Sequence, residues 1–127
     1  MTILIACLTT GKGSWAHVSR LLQQHQWDKV YLVTEEFGTK FNAGSNVEFV
    51  IIKASKSVQE ISKDIQMQLK DKINDLEVAV NLISGEGNEH MALISALTKL
   101  GLGIRFVIAG EKGLEEVEAE LTRHFLP

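Results

Sequence analysis

Short apolar segments alternate with segments of helical periodicity along this 127-residue chain. The apolar segments are residues 2–8, 29–34, 47–52, 77–83 and 103–108, and the helical ones are residues 14–26, 57–73, 89–100 and 114–125. Strands that alternate with helices form a mostly parallel sheet with helices on both faces. We therefore expect an α/β fold, a Rossmann-like three-layer sandwich that occupies residues 1–127 as a single domain.

The strand order follows from the placement of charge and from the handedness of crossovers. The first and fourth strands are almost free of charge and suit the centre of the sheet, whereas Glu48 and Arg105 interrupt the third and fifth strands and suit its edges. Right-handed crossovers then favour a five-stranded sheet of order 3-2-1-4-5. The connection at residues 35–46 is short for a parallel crossover and has no helical period, so the direction of the third strand stays open.

Composition excludes several classes of protein. The net charge of −3 argues against a protein that coats nucleic acid non-specifically, because such proteins carry a basic face. No apolar stretch approaches the ~20 residues that span a bilayer, so we expect no membrane partner. The single cysteine, Cys7, rules out a disulfide within the chain, which fits a cytoplasmic protein, and it lies in an apolar run where we expect a core side chain.

Two glycine-containing loops are expected to meet at one edge of the sheet. In sheets of this kind, ligands bind beyond the carboxyl ends of the strands, where the connections diverge to opposite faces. That point lies between the first and fourth strands, which are followed by residues 9–14 (TTGKGS) and 84–90 (SGEGNEH). Because both loops lead directly into helices, we predict a binding crevice between them.

The first loop has the composition of an anion-binding turn. It consists of Thr9, Thr10, Gly11, Lys12, Gly13 and Ser14. It lacks the spacing of a Walker A loop and the third glycine of the dinucleotide-binding fingerprint. Backbone N–H groups at a helix N-terminus, beside hydroxyls and a lysine, can still bind an anion. The alternative is a plain turn in which Ser14 caps the helix, and His17 on the first helical turn faces either the site or solvent.

The second loop offers a further set of backbone donors. Its candidate ligand-binding residues are Ser84, Gly85, Gly87 and Asn88. Asn88 is expected to cap the helix that follows. Glu86 and Glu89 would repel an anion if they faced inward, but acidic residues in a first helical turn also complement the helix dipole, and for Glu89 we favour the dipole role. His90 is a general acid, a phosphate contact or a surface residue.

Three further side chains need an explanation. Asn81 lies inside an apolar strand, where a polar group must find partners, and we expect it to pin the neighbouring loop. Phe37 and Phe41 either stack on a base or cap the core beneath their loop, and we favour the second role.

No group of histidine, cysteine and carboxylate has metal-ligand spacing, so we expect neither a metal nor another cofactor.

The segment VAVNLISGEGNEHMALISALTKLG, with the hydroxyl/glycine turn after the first strand, resembles the CRISPR-associated Rossmann-fold (CARF) domains. Those domains show a strand ending in Asn or Asp, a Thr/Ser-Gly-rich turn and a helix of small and apolar residues. The resemblance covers most of the chain in topology and two short motifs in sequence. It implies a homodimer that binds a cyclic oligoadenylate across its two-fold axis, as a stand-alone sensor or a metal-independent ring nuclease of antiviral defence.

The resemblance also implies which residues contact the ligand: Thr9, Thr10 and Gly11 in the first loop, and Ser84, Gly85 and Gly87 in the second. Members of the family that cleave the ring position a ribose 2′-hydroxyl for in-line attack on its phosphate. The chain departs from the family at Asn88, where Lys or Arg is usual. The positive charge, and any catalytic role, would then fall to Lys12, His17 or His90.

A separate feature supports association of two copies. Residues 91–100 form a helix that is apolar nearly all round, so one face can cover the sheet while the other is buried against a second copy. Two other functions stay open, because fold alone does not decide function. The chain is otherwise a nucleotide- or phosphometabolite-binding protein or enzyme unrelated to CRISPR signalling, or a non-catalytic interaction subunit.

Overall fold

The structure is a computed structural model that describes residues 3–8, 12–41 and 44–117, apart from the side chains of residues 12–14. Its strands are β1 (Ile3–Cys7), β2 (Lys29–Thr34), β3 (Val47–Ile51), β4 (Glu77–Asn81), β5 (Gly103–Ala109) and β6 (Leu114–Glu116). The α-helices are α1 (Lys12–Gln24), α2 (Val58–Leu69) and α3 (Gly87–Lys99), and a short 3₁₀ helix spans Glu36–Lys40.

In the described part of the chain the strands form one sheet of order β3-β2-β1-β4-β5-β6. Neighbouring strands from β3 to β5 pair in parallel, which confirms the predicted α/β fold and the order of the first five strands. It also settles the direction of the third strand. The 3₁₀ helix carries the connection from β2, with Gly38 packed so closely on Thr34 that a Cβ would overlap the Thr34 side chain.

The prediction of a helix that begins at residue 114 is wrong for residues 114–116. Leu114–Glu116 is the strand β6, which pairs antiparallel with β5 after a turn in which the Gly110 N–H donates to the Gly113 carbonyl at 2.9 Å. The edge of β5 offers backbone partners that an isolated helical turn lacks, and Gly113 has the φ of 140° that favours glycine at this turn. Residues 118–125 of the predicted helix lie outside the described residues.

One of the two edge predictions is also wrong. β5 lies between β4 and β6, and Arg105 on it donates through Nε to Glu116 of β6 at 3.0 Å and lies 3.7 Å from Glu77 of β4. Its charge is therefore explained by cross-strand pairs rather than by an edge position. Glu48 does lie on the edge strand β3, where it pairs with Lys72 at 2.5 Å.

The two faces of the sheet pack against different helices. Along β1, Ile3 and Ile5 pack on the side of α2 and α3, and Leu4 and Ala6 pack on the side of α1. Successive strand residues point to opposite faces, so a strand covered on both sides is apolar throughout. The uninterrupted apolar run of β1 has this cause, and Cys7 at its end is fully buried, as expected.

Part of the apolar surface of α3 is buried within the chain. Its buried apolar residues are Ala92, Leu93, Ala96 and Leu97, and α2 packs alongside it. Met91 is 64% exposed, and the interface with a second copy stays a prediction. None of the helices in the described ranges has the length and apolarity needed to cross a bilayer.

Candidate functional site

The carboxyl ends of β1 and β4 lie side by side, because these two strands pair in parallel. The helix after β1 packs on one face of the sheet and the helix after β4 packs on the other. This is the divergence of connections that marks ligand sites in open α/β sheets. We call the region around His17, Asn81, Ser84, Gly85 and His90 the β1–β4 crevice.

Asn81 is the last residue of β4 and is 1% exposed. Its side chain contacts three elements. The Ile83 N–H donates to Oδ1 at 3.2 Å, Nδ2 donates to the Val107 carbonyl at 2.8 Å, and Nδ2 lies 3.3 Å from Nε2 of His17. The buried polar group therefore finds partners, and it pins the loop after β4, as predicted.

His17 joins α1 to the ends of β4 and β5. Besides its contact with Asn81, its Nε2 accepts a hydrogen bond from the Ala109 N–H at 3.3 Å. Burial, and to a smaller extent the nearby Arg20, lower the pKa of His17 below its usual value. Arg20 itself donates to the carbonyls of Ala109 and Gly110, each at 3.2 Å. Of the two orientations considered for His17, the structure therefore has the one beside the strand ends.

His90 covers the second loop. Its Nε2 lies 2.9 Å from the carbonyl oxygen of Ser84, which can only accept, so Nε2 carries the proton. The ring lies over Gly85, whose φ is 105° and where a Cβ would be 2.9 Å from His90 Nε2. Both the backbone conformation and the close ring require glycine at this position. Ser84, the first residue of this loop, is fully buried.

Glu89 lies beside Cys7 rather than on the surface. It is 8% exposed, so the expectation that it only complements the helix dipole is incomplete. Burial raises the pKa of Glu89, and the Glu86 carboxylate adds to the effect. Burial, with a contribution from Glu89, raises the pKa of Cys7 to about 12. Cys7 is therefore a protonated core thiol at neutral pH and not a nucleophile.

Two predicted helix caps are wrong. Helix α1 begins at Lys12, so Ser14 lies inside its first turn and does not cap it. Helix α3 begins at Gly87 after Glu86, whose extended backbone makes it the N-cap, and Asn88 is an exposed second residue. In both places the glycine-containing loop enters the helical conformation earlier than side-chain preferences predict.

Several of the predicted site residues cannot be assigned a contact. Thr9, Thr10 and Gly11 lie outside the described residues, and for Lys12, Gly13 and Ser14 the structure describes only the backbone at the start of α1. Gly87 is the first residue of α3, with open space where a Cβ would be. The structure thus brings together His17, Asn81 and the strand ends on one side of the crevice, and Ser84, Gly85 and His90 on the other.

The two phenylalanines of the loop after β2 lie against Trp15, and for Phe41 the favoured role as a cap on the core is confirmed. The Trp15 ring lies 6.4 Å from that of Phe37 in a stacked arrangement and 5.5 Å from that of Phe41 in an edge-on one. Phe41 also packs against the core on the α1 side. Phe37 in addition lines a cavity of about 270 Å³ at the ends of β2 and β3, together with Glu35 and Lys53.

Among the residues that the structure describes, no group of three or more histidine, cysteine, aspartate and glutamate side chains could hold a metal ion. Comparison with known proteins adds no assignment. No protein-family model matches this chain, and no curated protein sequence matches it.

Proposed function

We propose that this chain binds a phosphate-bearing nucleotide in the β1–β4 crevice. The observation that carries the proposal is the parallel β1–β4 pair whose following helices pack on opposite faces, with the start of α1 and the loop after β4 at the diverging ends. Helix N-termini present unpaired N–H groups and a positive dipole end to an anion. Gly85, with its positive φ, allows the turn that brings the loop after β4 to this end of the crevice.

A cyclic oligoadenylate is the ligand we propose first, because the two loop motifs resemble those of CARF domains. In that case two copies of the chain form the complete site, and Lys12 supplies positive charge at the start of α1. If the ring is cleaved, the ribose 2′-oxygen attacks the neighbouring phosphorus, the 5′-oxygen leaves and takes up a proton from water, and a 2′,3′-cyclic phosphate forms. His90 would accept the 2′-hydroxyl proton through Nδ1, because its Nε2–H is bonded to the Ser84 carbonyl.

A mononucleotide or phosphometabolite is the second candidate, and a different observation favours it. Glu35 follows β2 directly, at the position where an acidic residue binds ribose hydroxyls in dinucleotide-binding folds. It lines the cavity of about 270 Å³ beside Phe37, and its Oε1 is already fixed by the Ala54 N–H at 2.6 Å. A base beside Phe37 with its ribose near Glu35 fits this arrangement.

Thermal unfolding with added ligand tests both candidates. Cyclic tetra-adenylate, cyclic hexa-adenylate, ATP, AMP and NAD are compared at the same concentration. A ligand at one hundred times its dissociation constant stabilises the fold by ~2.7 kcal/mol, which is readily measured. Stabilisation by a cyclic oligoadenylate alone supports the first candidate, and stabilisation by ATP, AMP or NAD supports the second. If none of the five ligands raises the melting temperature, the nucleotide-binding proposal is wrong.

Two variants locate the site. Lys12→Ala should weaken binding of either ligand class. The control is Lys70→Ala, which should leave binding unchanged because Lys70 follows the C-terminal end of α2, on the side of the amino ends of the strands. Glu35→Gln should weaken binding only if the second candidate is right. Ring cleavage is tested separately by incubation of cyclic tetra-adenylate with protein in EDTA and chromatography of the products, with His90→Ala as the inactive variant.

A further inference from the structure

Backbone atoms fix the orientation of the Asn81 amide. The Ile83 N–H can only donate, so the side-chain atom that it contacts at 3.2 Å is the oxygen Oδ1. The Val107 carbonyl can only accept, so the side-chain atom 2.8 Å from it is the nitrogen Nδ2. The chain itself therefore decides between the two flips of this amide, and a donating nitrogen lies beside His17.

The protonation of His17 follows from the same reasoning. Its Nε2 lies 3.3 Å from Asn81 Nδ2 and 3.3 Å from the backbone nitrogen of Ala109, and both of these groups are donors. A ring nitrogen that accepts a hydrogen bond has no proton, so the single proton of the ring is on Nδ1. A doubly protonated ring would set its Nε2–H against two other donors. The lowered pKa of His17, caused by burial and by Arg20, acts in the same direction.

We propose that Asn81 is a positioning residue that holds His17 as the neutral Nδ1–H tautomer, so that His17 offers the crevice a hydrogen-bond donor without a charge. The two nitrogens of an imidazole ring point away from each other, so the Nδ1–H is directed away from the Asn81 and Ala109 donors that Nε2 accepts from. The role toward a ligand rests on the proposed function, but the tautomer does not.

A neutral His17 limits which residues can supply positive charge to the site. His17 can donate to an oxygen or ring nitrogen of a nucleotide, but it does not supply the positive charge that a phosphate needs. Of the three residues expected to replace the missing cation at Asn88, only Lys12 and His90 then remain. His17 therefore favours a ligand with a hydrogen-bond acceptor at that position, whether that acceptor is charged or neutral.

Nitrogen NMR of the histidine rings tests the tautomer directly. In ¹⁵N-labelled protein at pH 7.5, protonated and unprotonated ring nitrogens have well-separated chemical shifts, and His17→Gln assigns the signals. His25, whose ring lies 4.4 Å from that of Trp27 just beyond the C-terminal end of α1, is the internal reference. We expect wild-type His17 to carry its proton on Nδ1. Asn81→Ala removes one donor, so the Nε2 resonance should shift toward the protonated position while the His25 signals stay in place.

Asn81→Asp separates a hydrogen-bonding role from a packing role. The carboxylate has the same shape but accepts instead of donating, so Nε2 of His17 should gain a proton and both ring nitrogens should shift to the charged form. A role in packing alone predicts an unchanged His17 spectrum. If the aspartate variant does not fold, the wild-type and Asn81→Ala spectra decide.

Two results overturn the inference: a wild-type His17 with its proton on Nε2, or a cooperatively melting Asn81→Ala protein with an unchanged His17 spectrum. Addition of AMP or cyclic tetra-adenylate to the same sample tests the ligand contact, which should shift the Nδ1–H signal. If the tautomer is as expected and neither nucleotide shifts any His17 resonance, the positioning role stands and the result counts against the proposed function.

Discussion

Replacement of Gly85 by alanine is the sharpest structural test of the crevice. A residue other than glycine at a φ of 105° costs about 1–3 kcal/mol in backbone strain. The new Cβ would lie 2.9 Å from His90 Nε2 and 3.3 Å from Cys7 Cβ, so the imidazole must move and lose its hydrogen bond to the Ser84 carbonyl. With about 1 kcal/mol for that bond, we expect Gly85→Ala to lower the free energy of unfolding by about 2–4 kcal/mol.

Two other glycines separate strain from contact. Gly101 has a φ of 79° but open space around the Cβ position, so Gly101→Ala should cost only the strain, about 1–2 kcal/mol. Gly87 has neither a positive φ nor a close neighbour and begins a helix, so Gly87→Ala should be neutral or stabilising by up to about 1 kcal/mol. In a His90→Ala background the contact is gone, and the cost of Gly85→Ala should fall toward that of Gly101→Ala.

Urea unfolding followed by tryptophan fluorescence measures these differences, since Trp27 is buried and reports on the core. The comparison relies on equal slopes of free energy against urea among the variants. The reasoning is refuted if Gly85→Ala costs no more than Gly101→Ala, or if its cost is the same with and without the His90 ring. Either result would mean that His90 does not hold the loop.

Three further predictions concern buried polar groups. His17→Gln keeps a hydrogen-bond acceptor but cannot be protonated. Because the folded-state pKa of His17 lies below the unfolded value of about 6.5, the stability of the wild type is full above that value and falls as the pH drops through it. Urea melts should therefore show the difference in unfolding free energy between wild type and variant narrowing from pH 7.5 to pH 5.0. Glu89 has a raised folded-state pKa, so its ionisation destabilises the fold as the pH rises above about 4.3. Glu89→Gln should therefore gain stability over wild type at pH 8 relative to pH 4, unlike the exposed control Glu111→Gln in the turn between β5 and β6. Equal gains of Glu89→Gln at both pH values would contradict this. The Thr34 hydroxyl is buried without a hydrogen-bond partner among the described residues, so Thr34→Val should melt at the same temperature or higher, and a loss above about 1 kcal/mol would contradict this.

The sheet could be predicted from the sequence because burial on both faces leaves a plain signal. The apolar runs of β1 and β4 identify the central strands, and the three-and-four spacing of residues 57–73 identifies α2. Right-handed crossovers then leave few arrangements of such elements. The crevice follows from this order alone, since the position where the connections diverge depends on topology and not on any single residue.

What could not be predicted depends on contacts between distant residues. β6 forms because the edge of β5 is available, whereas its two glutamates are equally compatible with a first helical turn. The burial of Glu89 follows from the closeness of the second loop to Cys7, which the local sequence does not contain. The partners of His17 are the backbone of β5 and Asn81, more than sixty residues away. One local feature indicated that His17 has partners outside the core: it lies off the apolar stripe of α1.

The acidic residues of the crevice bear on the proposed anion site. Glu35 and Glu86 both raise the pKa of the buried Glu89, so the three carboxylates share one electrostatic environment. A phosphate bound nearby would raise the pKa of Glu89 further, because it adds another negative charge. An anion bound nearby would therefore favour the protonated form of Glu89, which lowers the repulsion that the carboxylate would otherwise exert.

Proton uptake removes a negative charge but supplies no positive one. His17 is neutral when it accepts from Asn81, and the guanidinium of Arg20 is bonded to the carbonyls at the end of β5. Lys12, whose backbone begins α1, is then the cation best placed by the chain to meet a phosphate at this helix N-terminus. If a nucleotide binds and Lys12→Ala does not weaken it, the phosphate does not lie at the start of α1. The ligand would then present its sugar or base to that end of the crevice.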